Sequence, residues 1–250
     1  MDRNFAKRVF SCIDNTTLNA TDNVASVEAF CRRTLEMVLP GNVNVAAVCV
    51  YPNFVKTAVD ALKGSNIKVA SVAGAFPHGQ LPLRLKVEEV HQAVEDGADE
   101  VDIVINRGLL LAGEYNAVLD EVAAMKAVCS RATLKVILET GELPSPELIR
   151  KAAGLAIEGG ADFIKTSTGK GGVGATLEAA EVMLQTINNY VKICKKNIGF
   201  KAAGGIRKPE DALAYAKLAK KIIGEGFVNN QTFRIGASSL TESMFSLLTF

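Results

Sequence analysis

Six ionisable residues lie in short segments that otherwise have the composition of buried β-strands: Asp14, Asp102, Lys135, Glu139, Lys165 and Lys201. Parallel strands that are buried on both faces are normally continuous runs of Val, Ile and Leu, so charges within them need an explanation. An unpaired buried charge costs several kcal/mol of stability. These side chains are therefore either paired with one another inside the fold or used in chemistry, although each one alone could be a strand-end charge that reaches solvent.

Lys165 and Lys201 are the best candidates for chemistry, because each lies in an apolar segment that precedes a glycine-rich stretch. A lysine becomes a nucleophile when its pKa falls, and desolvation and a neighbouring cation both have this effect. Two ammonium groups ~6 Å apart at an effective dielectric of ~20 repel each other by roughly 3 kcal/mol. Such a repulsion would favour a neutral amine that attacks a carbonyl group near neutral pH.

Three glycine-rich stretches are candidate phosphate-binding loops. Gly204-Gly205-Ile206-Arg207 follows the seventh predicted strand, and Gly236-Ala237-Ser238-Ser239 follows the eighth at the start of a last helix. Backbone N–H groups at the start of a helix bind phosphate. Glycine lets the backbone approach the phosphate closely, and a serine hydroxyl can donate a further hydrogen bond to it. Thr168-Gly169-Lys170-Gly171-Gly172 adds Lys170 as a candidate phosphate contact, with a solvated surface lysine as the alternative. The sequence thus predicts a small phosphorylated ligand.

Predicted strands and helices alternate along the whole chain. The strands are residues 11–14, 44–50, 68–73, 100–105, 134–139, 163–166, 199–202 and 233–236, and the helices are residues 24–39, 53–63, 85–95, 115–129, 146–158, 177–195 and 209–221. This alternation indicates an α/β fold with a parallel sheet, and eight strands favour a closed (β/α)8 TIM barrel. No Gly-x-Gly-x-x-Gly follows the first strand, which disfavours a dinucleotide-binding sheet. No linker divides the chain, so residues 1–250 are predicted to be a single domain.

Composition excludes several classes of partner. The 250 residues carry 28 Lys and Arg against 27 Asp and Glu, a net charge of +1 that argues against nucleic acid or an anionic membrane. Five widely spaced cysteines and two histidines indicate a reducing compartment and no metal site, and no cofactor is expected. The charged N-terminus lacks a signal-peptide pattern, and the apolar run 45–51 is too short to span a bilayer. A cytoplasmic protein is the expectation.

The sequence resembles the deoxyribose-phosphate aldolases over nearly its whole length. The most specific matches are residues 161–170, Ala-Asp-Phe-Ile-Lys-Thr-Ser-Thr-Gly-Lys, and residues 199–207, Gly-Phe-Lys-Ala-Ala-Gly-Gly-Ile-Arg. Residues 14–18, 100–106, 135–140 and 233–239 support them. The resemblance implies reversible cleavage of 2-deoxy-D-ribose 5-phosphate to acetaldehyde and D-glyceraldehyde 3-phosphate, in deoxynucleoside catabolism. A homodimer is also expected by resemblance.

The resemblance also implies roles for individual residues. Lys165 would form the Schiff base, Lys201 would depress its pKa, and Asp102 would move protons with an ordered water. The residues Asp14, Thr16 and Cys49 would line the same pocket. An iminium on the substrate's carbonyl carbon is an electron sink, so a carbon–carbon bond can break without a metal.

The chain departs from the family pattern at three places, one of which is Ile105-Asn106-Arg107, where other members have an aromatic residue or a proline. Ala202-Ala203 stands where some members have a proline-containing turn, and the chain ends Leu247-Leu248-Thr249-Phe250 where some relatives have a tail ending in a tyrosine that assists proton transfer. Two alternatives remain open: a Schiff-base barrel acting on a longer ketose phosphate, and a non-catalytic sugar-phosphate-binding barrel, which would not need paired lysines beside Asp102.

Overall fold

A computed structural model describes residues 2–195 and 197–249. Met1, Lys196 and Phe250 lie outside the described residues, and Phe250 belongs to the C-terminal segment 247–250. Eight parallel strands form a closed barrel in sequence order, and the first strand pairs with the eighth. The predicted (β/α)8 TIM barrel is therefore confirmed. No helix of the described part of the chain is long and apolar enough to cross a membrane.

The strands lie close to their predicted positions. They are β1 Ile13–Thr16, β2 Ala47–Val50, β3 Lys68–Ala73, β4 Glu100–Val104, β5 Thr133–Ile137, β6 Phe163–Lys165, β7 Gly199–Ala203 and β8 Phe233–Ala237. The first strand begins two residues later than predicted because an unpredicted helix precedes it, and Ser11 and Cys12 close that helix. Asp2 caps this helix by accepting hydrogen bonds from the backbone N–H groups of Asn4 and Phe5.

Ten α-helices occur in the described residues, including the seven that were predicted in detail. They are α1 Arg3–Phe10, α2 Val24–Glu36, α3 Val55–Ala61, α4 Leu83–Glu95, α5 Arg107–Leu111, α6 Tyr115–Val128, α7 Pro146–Glu158, α8 Leu177–Cys194, α9 Pro209–Ile222 and α10 Leu240–Thr249. Helices α7 and α9 each begin at a proline, whose fixed φ suits the first helical position.

Two nearly identical junctions carry the chain from a helix into the next strand. Gly97 and Gly160 both have a φ of +102°, the left-handed conformation expected at the end of a helix. Asp99 and Asp162, two residues further on, each accept a hydrogen bond from a backbone N–H of the preceding strand. These tight junctions fix where β4 and β6 start, and therefore where their charged side chains lie.

The apolar core has two parts. The larger part lies between the strands and the surrounding helices. A smaller cluster inside the barrel consists of Leu18, Ala47, Cys49, Ala70 and Val72, which come from β2, β3 and the end of β1. The buried charged side chains of β1 and of β4 to β8 also lie inside the barrel.

Candidate active site

Asp102 lies at the centre of the charged interior and accepts hydrogen bonds from three lysines. Its Oδ2 is 2.8 Å from Nζ of Lys165 and 2.7 Å from Nζ of Lys201. Its Oδ1 is 2.8 Å from Nζ of Lys135. The strand register explains this convergence, because Asp102 is paired with Lys135 and Lys165 is paired with Lys201 across neighbouring strands. Five of the six predicted charges meet here, since Asp14 accepts a further bond from Lys201.

Two residues that the sequence analysis missed complete this network. Arg234 of β8 lies 2.5 Å from a carboxylate oxygen of Asp14 and 2.7 Å from one of Glu100. Glu100 also lies 2.6 Å from Nζ of Lys135. Both residues could have been found from the sequence: Glu100 is two positions before Asp102 on the same strand face, and Arg234 is a charge inside an apolar strand.

The buried network contains one more cation than anion. Three carboxylates (Asp14, Glu100 and Asp102) contact four cations (Lys135, Lys165, Lys201 and Arg234), all 3% exposed or less. Lys68 also approaches Glu100, at 3.4 Å, but its side chain is 37% exposed and reaches water at the lower end of the barrel. Since an uncompensated buried charge is expensive, the network favours releasing one proton.

The proton is released most easily from Lys165. Burial lowers the pKa of Lys165 and outweighs the opposing effect of Asp102, while Lys201 lowers this pKa further. Burial alone would also lower the pKa of Lys135 and Lys201, but their carboxylate partners raise both above the ordinary lysine value. Asp102 has its pKa held well below its usual range by the three lysines, despite its burial. The site thus places Lys165, which loses its proton readily, beside Lys201, which keeps its charge.

Lys165 forms the floor of a cavity of about 210 Å³ at the carboxyl ends of the strands. The predicted residues that line it are Thr16, Lys165, Thr168, Gly169, Lys170, Gly204, Gly205, Ile206, Arg207, Gly236 and Ser238. Leu18, Asn19, Ala203 and Ala237 also line it and were not named as site residues. Ala203 and Ala237 adjoin predicted site residues, whereas Leu18 and Asn19 follow Thr16 by two and three positions. The one reactive amine of the network therefore meets the loops that were predicted to bind phosphate.

Five predicted site residues lie outside the lining. Asp14, Cys49, Asp102 and Lys201 are buried beneath it, and Cys49 packs in the small apolar cluster inside the barrel. Burial raises the pKa of the Cys49 thiol, as does the nearby Asp102. Ser239 is exposed and immediately precedes α10, where its carbonyl oxygen accepts from the hydroxyl of Ser243.

Glycine at position 236 keeps the floor of the site open. A Cβ at this position would lie 2.9 Å from Cε of Lys201, which is too close without a shift, and 3.1 Å from Cβ of Ala203, which is a tight contact. Any side chain would force the buried end of Lys201 to shift. Gly236 is thus required by the packing around the lysine as well as being available to a phosphate.

Glu139 is the sixth predicted charge, and the prediction that it joins the central cluster is wrong. Strand alternation would place Glu139 on the inward face with Lys135 and Ile137. However, β5 ends at Ile137, and Glu139 has a φ of 55° and a ψ of 58°, a left-handed conformation that breaks the alternation. Its carboxylate contacts the loop after β6 instead, where it accepts from Thr168.

A barrel whose cavity ends on a desolvated lysine, with a carboxylate and a second cation beneath it, has the arrangement of groups that Schiff-base chemistry needs, and aldolases are one class of barrel enzyme that uses it. Residues 8–243 match the model of the DeoC/LacD family of aldolases. The deoxyribose-phosphate aldolase of Homo sapiens is 45% identical over 241 residues, which are 91% of this chain and 76% of the human protein. The Mus musculus enzyme of the same name is 46% identical with the same coverage.

Solved structures agree with the sequence comparison. An aldolase designated QR15 superposes with a TM-score of 0.79 and 34% identity, covering 96% of each chain. The chain belongs to the DeoC/LacD aldolase family.

Proposed function

We propose that this protein reversibly cleaves 2-deoxy-D-ribose 5-phosphate to acetaldehyde and D-glyceraldehyde 3-phosphate through a Schiff base on Lys165. The observation that carries this proposal is the position of Lys165: a buried amine with a lowered pKa at the base of a cavity that the candidate phosphate-binding loops line. The names of the human and mouse relatives support the choice of substrate.

The first step is attack of the neutral Lys165 amine on the aldehyde carbon, C1, of the open-chain sugar. Loss of water then gives an iminium, which withdraws electrons from the neighbouring carbons. Asp102 already lies 2.8 Å from this nitrogen, so the positive charge forms next to a fixed carboxylate and no reorganisation is needed.

The second step breaks the bond between C2 and C3. The proton of the C3 hydroxyl leaves as its oxygen becomes the aldehyde of glyceraldehyde 3-phosphate, and the electron pair of the broken bond moves into the iminium to give an enamine. Beside Lys165, the protonated Lys201 donates a hydrogen bond to Asp102. We assign Asp102 as the acceptor of this proton and Lys201 as the donor in the reverse transfer. Protonation of the enamine carbon and hydrolysis then release acetaldehyde and restore Lys165.

The phosphate is expected to lie at the opposite side of the cavity from Lys165. Gly204 and Gly205 have positive φ values that turn the chain sharply after β7, Ser238 precedes α10, and Arg207 and Lys170 supply positive charge. Binding energy from this remote group orients C1 towards the amine.

The test is a product assay on purified protein, in which acetaldehyde is measured by coupled reduction with NADH and the triose phosphate is measured separately. We expect both products in equal amounts from deoxyribose 5-phosphate and none from fructose 1,6-bisphosphate. Lys165→Met should abolish cleavage, whereas Lys63→Met, at an exposed position, should not. Cleavage of the hexose bisphosphate instead, or full activity of Lys165→Met, would overturn the proposal.

A further inference from the structure

Glu139 is a buried carboxylate that the proposed reaction does not use. It is only 2% exposed, and it forms no ion pair with any lysine or arginine in the described part of the chain. Its left-handed backbone is unfavourable for a residue with a Cβ. Such backbone strain persists only where the surrounding structure enforces it, and it is concentrated at functional sites.

The carboxylate of Glu139 is held by one residue of the loop after β6. The backbone N–H of Thr168 lies 3.3 Å from both carboxylate oxygens, and the Thr168 hydroxyl donates to one of them at 2.5 Å. A carboxylate can only accept hydrogen bonds, so it fixes the direction of the Thr168 hydroxyl proton. The lone pairs of that hydroxyl then face the loop.

Thr168 passes this constraint to Lys170. The oriented hydroxyl of Thr168 accepts the backbone N–H of Lys170 at 3.0 Å. Lys170 and Leu18 both line the cavity, and Nζ of Lys170 donates to the carbonyl oxygen of Leu18 at 2.5 Å. A Cβ on Gly171 would lie 3.6 Å from the Glu139 carboxyl carbon, so the loop lies folded directly over this carboxylate.

We propose that Glu139 is a positioning residue that holds residues 168–172 where they bind the phosphate end of the substrate, and so sets the preference for phosphorylated sugars. The inference rests on the proposed function, because it concerns the phosphate side of that same cavity. Glu139 acts through Thr168 and does not touch Lys165, so it affects substrate binding at the remote end and leaves imine formation unchanged.

Glu139→Gln tests this proposal, because glutamine keeps the size of the side chain but replaces one acceptor oxygen with a donor that faces the donors of Thr168. We expect the ratio of kcat/KM for deoxyribose 5-phosphate to that for unphosphorylated deoxyribose to fall about tenfold, mainly through KM. Borohydride trapping of acetaldehyde should be unchanged. Glu142→Gln is the matched control, since Glu142 lies three residues further on, is half-exposed and pairs with Arg107 instead.

Thr168→Val provides a second variant that removes the same contact from the loop side. We expect the double variant Glu139→Gln/Thr168→Val to lower the ratio no more than the worse single variant, because both act through one contact. Additive losses, an unchanged ratio in Glu139→Gln, or a parallel fall in acetaldehyde trapping would each overturn the inference. Wild-type protein is assayed first, so absence of deoxyribose 5-phosphate cleavage would count against the proposed function and not against the role of Glu139.

Discussion

Replacing Lys201 with leucine tests how the barrel makes Lys165 reactive. In the wild-type network, three carboxylates are balanced by Lys135, Lys201 and Arg234, so a proton on Lys165 is in excess. Lys201→Leu removes one of these cations and leaves the carboxylates in excess. Protonation of Lys165 then restores the balance, so the pKa of Lys165 should rise.

The magnitude follows from the geometry around Asp102. Nζ of Lys165 and Nζ of Lys201 contact the same oxygen at 2.8 and 2.7 Å. A normal angle at that oxygen places the two nitrogens ~4.5 Å apart, and at an effective dielectric of ~20 their repulsion is roughly 3 to 4 kcal/mol. Loss of this repulsion should raise the pKa of Lys165, so that the fraction of neutral Lys165 amine at pH 7 falls by roughly 100-fold or more.

The assay is the pH dependence of acetaldehyde trapping by borohydride after a timed incubation, with the adduct counted by mass spectrometry. Trapping should increase with pH in both proteins, because only the neutral amine attacks, but the Lys201→Leu curve should lie at higher pH. Lys201→Arg, which retains a cation, should stay closer to wild type. Coincident curves for wild type and Lys201→Leu would refute the reasoning, whereas loss of turnover alone would not decide it, since Lys201 is also assigned to proton transfer.

Three further predictions address the other parts of the site. Ser238→Asp should repel the phosphate dianion, so kcat/KM for deoxyribose 5-phosphate should fall strongly while that for deoxyribose changes little; equal loss on both substrates would place the phosphate elsewhere. Asp102→Asn should still be trapped by acetaldehyde but should lose about 10²- to 10⁴-fold in sugar cleavage, and cleavage near the wild-type rate would remove Asp102 from proton transfer. Arg234→Met should lower the free energy of unfolding in urea by about 3 to 5 kcal/mol, because it leaves buried carboxylates unpaired. Arg8→Met, which breaks an ion pair with both side chains more than 40% exposed, should cost at most about 1 kcal/mol, and similar losses in the two variants would contradict the argument.

Most of the barrel was predictable because its signals are local. The spacing of apolar segments and the glycine-containing junctions before β4 and β6 place the strands to within a few residues. The period of two along a strand then brings Asp102, Lys135, Lys165 and Lys201 to one interior. The helix Arg3–Phe10 was missed although Ala6, Val9 and Phe10 recur at helical spacing, because a helix was not expected in a segment of only eight residues next to the chain start.

The errors at the site have specific physical causes. Glu139 was assigned to the interior because alternation was extended past the end of β5, and a left-handed turn at a residue other than glycine leaves no mark in the sequence. Arg234 and Glu100 were missed although alternation points to both. Which carboxylate pairs with which cation depends on the register between strands, and that is fixed only when the barrel closes.

Peptide mapping after reductive trapping tests the central assignment most directly. The protein is incubated with acetaldehyde, reduced with borohydride and digested, and the peptide that carries the added two-carbon group is identified. Our account predicts one ethyl group on Lys165, in the peptide that contains residues 163–165, and none in the Lys165→Met variant. An adduct confined to Lys201, or adducts scattered over exposed lysines while Lys165 remains unmodified, would contradict it.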